Sequence, residues 1–337
     1  MTTLSTEAIP STGQDIGVLS TNFDSFEPQS MEEVLSHTTV EHLQLSRGRF
    51  LGEVMRAEFT TSTLDWGSYN LPLLASAGMP ADRVTLGFIL TSDGESLMNG
   101  KNFSASAVVV FTESTELYYH LAPNTQWLAF QVERSLLERI GLPLQQQFAG
   151  FAGNPSPGNR RLNQNLQDTL AVLRSISGPE PSPDVPDPVA CMKEAEAYLF
   201  DLLTSAFTSV QSGYANGKQH FPEAIRLARF ATDYILANMA EPLRIGTICR
   251  ELDCDLKSLE RAFRRVHGTS PRQFLTLIRL NRARQLLLDS NGSYTVTWAA
   301  TACGIQHLGR FSQQYRLWFG EHPSETLARS IHAGKKS

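Results

Sequence analysis

The sequence predicts an α+β protein in which a β-rich first half is followed by helices. Short runs of β-branched and aromatic residues, separated by turn signals, fill the region before residue 133. Helical periodicity dominates beyond residue 160. Near the C-terminus, two stretches each combine a short helix, a tight turn and a longer helix, which is a helix-turn-helix pattern. The chain has 337 residues, a length that suggests about two domains.

The charged residues are distributed unevenly between the two halves of the chain. Residues 222–337 carry 17 Lys and Arg against 10 Asp and Glu, a net charge of +7. The first 221 residues carry a net charge of −12, so the whole chain is only −5. A basic part next to an acidic part is typical of a nucleic-acid-binding domain joined to a regulatory domain. Chance clustering of charge is the alternative.

The cysteine content and the hydropathy restrict the class of protein. The cysteines lack the paired spacing of a zinc site, and three of them lie in the predicted helical part, where buried packing is favoured over a redox switch. They are Cys191, Cys249, Cys254 and Cys303. We therefore expect a reduced, cytoplasmic protein without metal or other cofactor. No apolar run is long enough for a membrane span and no secretion signal is recognisable, so no membrane partner is expected.

The first half divides into a leader and a β-rich domain. Residues 1–35 are rich in Ser, Thr, Glu and Gln without periodicity, which predicts a disordered leader. Residues 36–150 are expected to form an effector-binding or regulatory domain. Its predicted strands cover residues 48–59, 84–90, 107–111 and 127–132. Strands of this length and spacing favour a small barrel or sandwich, and we expect a β-rich, cupin-like fold.

Residues 160–215 are predicted to be a helical region through which the chain dimerises. Helices are expected at 162–176 and 189–210, on either side of a proline-rich loop that cannot be helix interior. A shorter helix at 135–142 precedes them, with Ser135 as its N-cap.

Residues 221–330 are predicted to form an all-α domain with two helix-turn-helix units. In the first unit, the turn lies at residues 253–255, and Asp255 caps the helix that follows. A long helix over residues 271–289 joins the units, and Leu286 and Leu287 are expected to pack between them. Apolar residues at helical spacing after the first turn are expected to be buried: Leu256, Leu259, Ala262, Phe263 and Val266.

Three motifs in this domain carry a specific resemblance. They are FRRVHGTSP at 263–271, RLNRARQLL at 279–287 and GEHPS at 320–324. Across both units, the domain resembles the DNA-binding domain of AraC/XylS-type transcription regulators. The second unit, with HLGRF at 307–311, is similar to the subgroup that includes the ethanolamine-utilisation regulator. The resemblance implies double-stranded DNA, RNA polymerase and a second copy of the chain as partners, whereas the N-terminal half matches the family only loosely.

The resemblance also assigns candidate contact residues by position. In this family, exposed residues early in each recognition helix contact bases, and we expect further basic residues to contact phosphates. The candidates for base contacts are Lys257, Glu260, Arg261, His307, Arg310 and Gln313. The candidates for phosphate contacts are Arg264, Arg265 and Arg316. Gln313 departs from the family pattern, in which Arg is common at this position.

Several candidate residues have a second interpretation. Glu260 either accepts a hydrogen bond from cytosine N4 or pairs with Arg264 one helical turn away. His307 either reads a base or has a capping or phosphate-binding role. Four aromatic residues of the β-rich domain either line an effector pocket or form ordinary core: Trp66, Tyr69, Tyr118 and Trp127.

The sequence therefore predicts a sequence-specific DNA-binding transcription regulator that responds to a small-molecule effector and is not an enzyme. Activation is the expected mode, with repression left open. One alternative is a constitutive DNA-binding protein without a ligand. Another is an enzyme domain fused to a DNA-binding module, against which the absence of a histidine-rich metal set and of a reactive-cysteine context in residues 1–180 argues.

Overall fold

The computed structural model describes most of the chain between residues 17 and 334. The described residues are 17–35, 39–80, 82–98, 101–103, 108–111, 116–142, 149–152, 157–177, 185, 187–213, 223–239, 243–289 and 293–334. Strands β1 to β12 cover, in order, Gly17–Phe23, Thr39–Gln44, Gly52–Glu58, Ser62–Tyr69, Leu73–Gly78, Arg83–Thr91, Ser96–Met98, Lys101–Phe103, Val108–Phe111, Glu116–Leu121, Thr125–Glu133 and Ala149–Ala152. Helices α1 to α11 cover Pro28–Val34, Arg134–Arg139, Pro157–Ile176, Pro188–Gly213, Glu223–Ala237, Ile245–Glu251, Leu256–His267, Pro271–Asp289, Val296–Ala302, Leu308–Phe319 and Pro323–Gly334.

The β-rich half is a sandwich of two antiparallel sheets. Among the described residues, the larger sheet has the strand order β1-β3-β4-β11-β6-β9-β12, and the smaller has the order β2-β5-β10-β7-β8. The four predicted strand segments correspond to β3, β6, β9 and β11. The first begins at Gly52 rather than at residue 48, because Gly48 has a left-handed φ of +130° and its N–H donates to the Trp318 carbonyl at 3.0 Å. The mixture of helices and antiparallel sheets agrees with the predicted α+β class.

Residues 17–35 are folded, so the prediction of a disordered leader is wrong for this segment. Strand β1 pairs with β3 along its whole length, from Gly17 opposite Glu58 to Phe23 opposite Gly52. The segment after β1 buries four apolar side chains in the core of the sandwich: Phe26, Met31, Val34 and Leu35. These partners are distant in sequence, so the Ser- and Thr-rich composition alone gave no sign of them. Residues 1–16 of the predicted leader lie outside the described residues.

Helices α3 and α4 pack on the outer face of the larger sheet. Leu170 of α3 and Leu199 of α4 share a core with Trp66 and Phe130, whose side chains point away from the sandwich interior. These two helices match the predicted helical region, and their role in dimerisation stays a prediction.

The short helix α2 begins one residue earlier than predicted. Its N-cap position is occupied by Glu133, whose side chain makes no capping hydrogen bond. The predicted N-cap, Ser135, lies inside the first turn, where its hydroxyl donates to the Glu133 carboxylate at 3.3 Å. The N-cap prediction is therefore wrong, because strand β11 runs directly into the helix without a turn.

The C-terminal half contains α5 to α11, and its two helix-turn-helix units are α6–α7 and α9–α10. As predicted, Asp255 caps α7, since its carboxylate accepts a hydrogen bond from the Ser258 N–H at 2.9 Å. In the turn before it, Asp253 has a left-handed φ of +47°, a conformation that Asp tolerates. Leu256 is 53% exposed rather than buried, because the packed stripe of α7 begins only at Leu259.

Linker helix α8 takes part in two separate cores. Its first half, up to Ile278, packs within the first unit, with Leu259 and Phe263 of α7. Its second half packs within the second unit and against the sandwich, where Leu287 is fully buried and Leu286 lies at the edge. The prediction that both leucines pack between the two units is therefore wrong, since each unit has its own core along this 19-residue helix.

Substitution of Leu287 tests the second of these cores. Leu287→Ala is expected to lower the free energy of unfolding by about 2–5 kcal/mol, because it removes fully buried methyl groups and leaves a cavity. Leu317→Ala is the matched control, since this leucine is 55% exposed and its loss is expected to change the free energy of unfolding by no more than about 0.5 kcal/mol. Urea unfolding monitored by circular dichroism measures both. Equal effects of the two variants would contradict the placement of Leu287.

Candidate DNA-binding surface and interior cavity

The predicted contact residues form an exposed polar surface on the two recognition helices, α7 and α10. Eight of the nine are exposed: Lys257, Arg261, Arg264, Arg265, His307, Arg310, Gln313 and Arg316. Glu260 is half-buried, and in the described part of the chain it forms no ion pair with Arg264, the partner that the alternative interpretation gave it. His307 occupies the N-cap position of α10 without a side-chain capping hydrogen bond, so its imidazole is available to a partner.

Each recognition helix is held from behind by aromatic residues. On α7, Phe263 packs edge-on against Phe274 of α8, with ring centroids 5.2 Å apart. On α10, Tyr315 packs against Phe311 and Phe319, with centroids 5.5 and 4.7 Å away. Because one face of each helix is fixed in this way, its polar face points to solvent with a defined orientation.

A groove of about 810 Å³ lies between the two units and is lined by arginines. Arg244 and Ile245 at the start of α6 form one side, and His307 and Arg310 of the second unit form the other. The floor is the face of α8 that carries Arg272 and Arg279, which lie seven residues apart. Four guanidinium groups around one groove match an anionic polymer such as a nucleic acid backbone. Arg244, Arg272 and Arg279 were not singled out from the sequence, although the spacing of the last two places them on one helix face.

The opposite face of α8 is attached to the sandwich by buried polar contacts. Asn281 accepts a hydrogen bond from the Gln44 backbone N–H at 3.1 Å, and the Gln44 side chain donates to the Trp318 carbonyl at 2.8 Å. Arg284, which is completely buried, donates to the Phe26 carbonyl and to the Glu321 carboxylate, both at 2.6 Å. The linker helix therefore presents one face to the arginine-lined groove and the other to the β-rich half.

A second candidate site is a cavity of about 90 Å³ inside the sandwich. Most of its wall is apolar, with Met79, Met98 and Phe111 among the lining residues. Four buried polar side chains also line it: His42, Asp65, Thr85 and Gln131. Burial lowers the pKa of His42 to about 4, so its imidazole is neutral at pH 7.

Three of these polar residues, Asp65, Thr85 and Gln131, project from neighbouring strands of the larger sheet. Asp65 of β4 is opposite Ala129 of β11, and Gln131 is opposite Thr85 of β6. Burial raises the pKa of Asp65 to about 7, against the opposing effect of Arg56, whose Nη1 lies 3.5 Å from Oδ1 of Asp65. These residues were not predicted from the sequence. The available signal was a set of polar residues alternating with apolar ones inside strands that are buried on both faces.

Only one of the four predicted effector-binding aromatic residues lines this cavity, namely Trp127. Tyr69 is buried beside it and contacts the Trp127 ring at 6.2 Å between centroids. Trp66 points to the other side of the sheet, where Arg174 of α3 lies over its ring at 3.8 Å. Tyr118 lies at the boundary with the helical half, where its hydroxyl donates to the Asp233 carboxylate at 2.7 Å. The structure therefore separates Trp66 and Tyr118 from the cavity, because alternate strand residues face opposite sides.

Cys249 and Cys254 are half-buried at the edge of the first unit's core, in keeping with the packing role predicted for them. The Cys254 N–H donates to the Cys249 carbonyl at 2.9 Å, which closes the end of α6. Burial raises the pKa of the Cys254 thiol to about 11, with further contributions from Cys249 and from Asp255 and Asp253. Such a thiol is a weak nucleophile at neutral pH.

Within the part of the chain that the structure describes, no helix combines the length and apolar character needed to cross a membrane. The same residues contain no group of three or more His, Cys, Asp or Glu side chains arranged to hold a metal ion.

Comparison with known proteins supports the assignment of the helical half. The helix-turn-helix domain family matches residues 248–329. The chain is 31% identical over 161 residues to the probable thc operon regulatory protein of Rhodococcus erythropolis. This match covers 47% of this chain and 48% of that protein. It is also 35% identical over 89 residues to the HTH-type transcriptional regulator ArgR of Pseudomonas aeruginosa. This second match covers 26% of this chain and 26% of ArgR. The chain thus spans about half of the first relative and about a quarter of the second.

Among solved structures, the chain is similar to a probable AraC family transcriptional regulator from Rhodopseudomonas palustris. The identity is 39%, the match covers 31% of this chain and 97% of that one, and the TM-score is 0.29. The family match confirms the predicted helix-turn-helix domain within residues 248–329, and the proteins that the chain resembles are regulatory proteins. The relation to the ethanolamine-regulator subgroup stays a prediction.

His267, at the end of α7, is expected to make the stability of the first unit decrease at acidic pH. Its ring stacks on Phe274 at 4.3 Å, and its Nε2 lies 3.1 Å from the Thr232 hydroxyl. Burial, with a smaller effect of His120, lowers the pKa of His267 to about 3 from an ordinary value of 6.5. Because the folded state disfavours the charged form, the stability present above pH 6.5 is lost as the pH falls towards 3.

The unfolding free energy of the wild type is expected to fall between pH 7 and pH 4. His267→Gln is expected to make this fall smaller by a few kcal/mol, because each unit of pKa shift corresponds to about 1.4 kcal/mol. His332→Gln, at an exposed histidine near the C-terminus, is the control and is expected to keep the wild-type slope. Urea titrations at several pH values measure this. A wild-type slope in the His267 variant would contradict the buried, neutral state of this imidazole.

Proposed function

We propose that the whole protein is a sequence-specific transcription regulator that binds double-stranded DNA with both helix-turn-helix units. The observation that carries this proposal is the exposed basic surface of α7 and α10 beside the arginine-lined groove. Two recognition helices in one chain read two adjacent major-groove segments, roughly 34 Å apart along one face of the duplex. The DNA backbone that crosses between these segments then lies near Arg244, Arg272 and Arg279.

Base reading and backbone binding are assigned to different residues. Arg261 and Arg310 lie early on exposed faces of their helices, and an Arg in this position pairs bidentately with guanine O6 and N7. Lys257, Glu260, His307 and Gln313 complete the proposed reading set. Arg264, Arg265 and Arg316 are proposed to bind phosphates, which position the protein without reading sequence.

We further propose that a small effector binds in the sandwich cavity and changes the affinity for DNA. Support comes from the unusual composition of the cavity, in which buried polar groups face an otherwise apolar wall. Leu35, at the end of the segment that contacts the second unit, also lines the cavity. A bound molecule therefore touches the element that connects the two halves of the chain, which is a route for differential affinity between two arrangements.

The remaining parts of the proposal concern the setting in which this regulator acts. We propose a cupin-like effector domain, a homodimer formed through the α3–α4 region, activation through contact with RNA polymerase, and a cytoplasmic location.

Support for the dimer is the exposure of Val172 and Val189 on the outer side of these helices. Sedimentation of the wild type and of a Val172→Glu, Val189→Glu variant at micromolar concentration tests it, with a monomeric wild type counting against the dimer.

Experiments on the same protein distinguish this proposal from two alternative functions. A constitutive DNA-binding protein would bind its site without response to any small molecule. An enzyme fused to a DNA-binding module would turn over a substrate in the β-rich half. The cavity favours the ligand-responsive form, because unpaired buried polar atoms are costly unless a ligand or water satisfies them.

The assignment of reading and positioning residues predicts distinct effects of three substitutions. Arg261→Ala and Arg310→Ala are each expected to relax preference in one half of the binding site, with a loss of roughly 1–3 kcal/mol of discrimination. Arg265→Ala is expected to weaken binding to all sequences about equally and to reduce the salt dependence by about one charge. Selection and sequencing of bound DNA for each variant, with affinity measured against salt, distinguishes these effects. If Arg261→Ala and Arg265→Ala produce the same uniform loss, the proposed reading face is wrong.

A further inference from the structure

The polar end of the sandwich cavity contains buried groups that lack partners within the described residues. The Thr85 hydroxyl, Oε1 of Gln131 and Oδ1 of Asp65 make no hydrogen bond, and each of these residues is 1% exposed. The Gln131 amide directs its Nε2 to the Asp65 carboxylate, donating to Oδ2 at 3.2 Å. Oε1 of Gln131 is therefore an acceptor that remains without a donor, and such a group costs about 1–3 kcal/mol when buried.

The charged groups at this end already pair with one another. The Arg56 guanidinium faces two carboxylates, with Nε 2.6 Å from Oε1 of Glu58 and Nη1 3.5 Å from Oδ1 of Asp65, and His42 on the opposite sheet is neutral because of its burial. An anionic head would find Arg56 already shared by two carboxylates, and a cationic head would compete with Arg56 for Asp65. The desolvation of that charge would not be repaid.

The rest of the wall limits the number of polar groups on the ligand. Nδ1 of His42 and Nε1 of Trp127 also lack hydrogen-bond partners in the described part of the chain. Otherwise the wall beyond the polar end is mainly apolar, with Met79, Ile89, Met98, Phe103, Phe111 and Leu121 among the lining residues. A molecule with hydroxyl groups along its length would leave most of them unpaired against this wall, at a cost of roughly 2–7 kcal/mol each. A ligand with one polar group at the Gln131 end therefore suits this wall better than a ligand with hydroxyl groups along its body.

The space comes from small residues in the middle of the larger sheet. Ala129 and Gly87 occupy paired positions on β11 and β6, next to Asp65 on β4. A side chain at Gly87 would meet the Phe111 ring at 2.8 Å, so this glycine allows Phe111 to lie across the sheet. The cavity of about 90 Å³ is smaller than the roughly 150 Å³ that accommodates benzene, so it holds at most about six non-hydrogen atoms.

We propose that the effector is a small, uncharged, mostly apolar molecule with a single hydrogen-bond-donating head, such as a hydroxyl, which binds to Gln131 and Thr85. This inference rests on the proposed effector response and adds the chemical class of the ligand. The head donates to Oε1 of Gln131, and the Thr85 hydroxyl donates to or accepts from it. The apolar body lies between Phe111 and the methionines of the smaller sheet.

A set of ligands with one ring and different heads tests this class on the full-length protein. Cyclopentanol, cyclopentane, cyclopentylammonium and cyclopentanecarboxylate are titrated at millimolar concentration by calorimetry, with thermal shift as a second measurement. Cyclopentanol is expected to bind about tenfold more tightly than cyclopentane, which corresponds to about 1.4 kcal/mol, and the two ions are expected to bind more weakly than either. Tighter binding of either ion, or no binding of cyclopentanol, would overturn the proposal.

Three variants connect the result to the residues. Thr85→Val is isosteric and is expected to reduce cyclopentanol binding several-fold while leaving cyclopentane binding unchanged. Ala129→Leu fills the cavity and is expected to abolish binding of both. Thr169→Val, on α3 and outside the cavity lining, is the matched control and is expected to bind like the wild type. An unchanged alcohol-to-alkane ratio in Thr85→Val would contradict the assigned head group.

The same samples are assayed for DNA binding by electrophoretic mobility shift, which distinguishes a wrong ligand class from a wrong regulator function. If the wild type binds DNA but cyclopentanol does not bind as expected, the proposed ligand class is wrong and the DNA-binding function stands. Loss of DNA binding in the wild-type protein counts against the proposed regulator, whatever the cavity binds. Ligand binding that alters the DNA affinity of the wild type but not of Ala129→Leu supports both.

Discussion

The buried guanidinium of Arg284 is the interaction on which the arrangement of the two halves depends. A completely buried charge is stable only when it is paired and hydrogen-bonded, and the partners of Arg284 come from three different segments. Its Nε donates to the Phe26 carbonyl, and its Nη1 donates to the Glu321 carboxylate and to the Tyr315 hydroxyl. Although burial opposes it, the attraction of Arg284 and Arg329 keeps the pKa of Glu321 below its usual value. The segment before α1, the second recognition helix and the start of α11 are thus fixed around one side chain.

This constraint gives the linker helix its double role. Residues on one face of α8, including Arg272 and Arg279, line the groove between the helix-turn-helix units. Asn281 and Arg284 on the other face bind the β-rich half through backbone groups of Gln44 and Phe26. The β-rich half therefore packs on the side of α8 away from the groove and leaves the groove open.

The sequence predicted features that depend on local chemistry and missed those that depend on distant partners. The Asp255 cap, the turn at residues 253–255 and the bounds of α8 follow from residues within one or two turns, and the structure agrees with them. The folded segment at 17–35 was missed, because its partners on β3 and α8 lie far away in the sequence. The polar side of the cavity was missed for the same reason, since Asp65, Thr85 and Gln131 meet only when β4, β11 and β6 pair. Trp66 and Tyr118 were assigned by residue type, and the strand alternation that decides which side they face could not be placed in register from the sequence.

Helix α1 links the cavity to the DNA-binding half because it is held at both ends. At its C-terminal end, Nη1 of Arg56 donates to the Val34 carbonyl at 3.2 Å, and the same guanidinium faces Asp65 at the polar end of the cavity. Before its N-terminal end, Arg284 binds the Phe26 carbonyl and Arg329 lies 3.6 Å from the Glu27 carboxylate. A ligand that changes the hydrogen bonds of Asp65 acts on Arg56, and a displacement of Val34 moves a seven-residue helix as a unit. Such a helix, packed between two sites and bound to each by a buried charge, is a physical element through which one site biases the other.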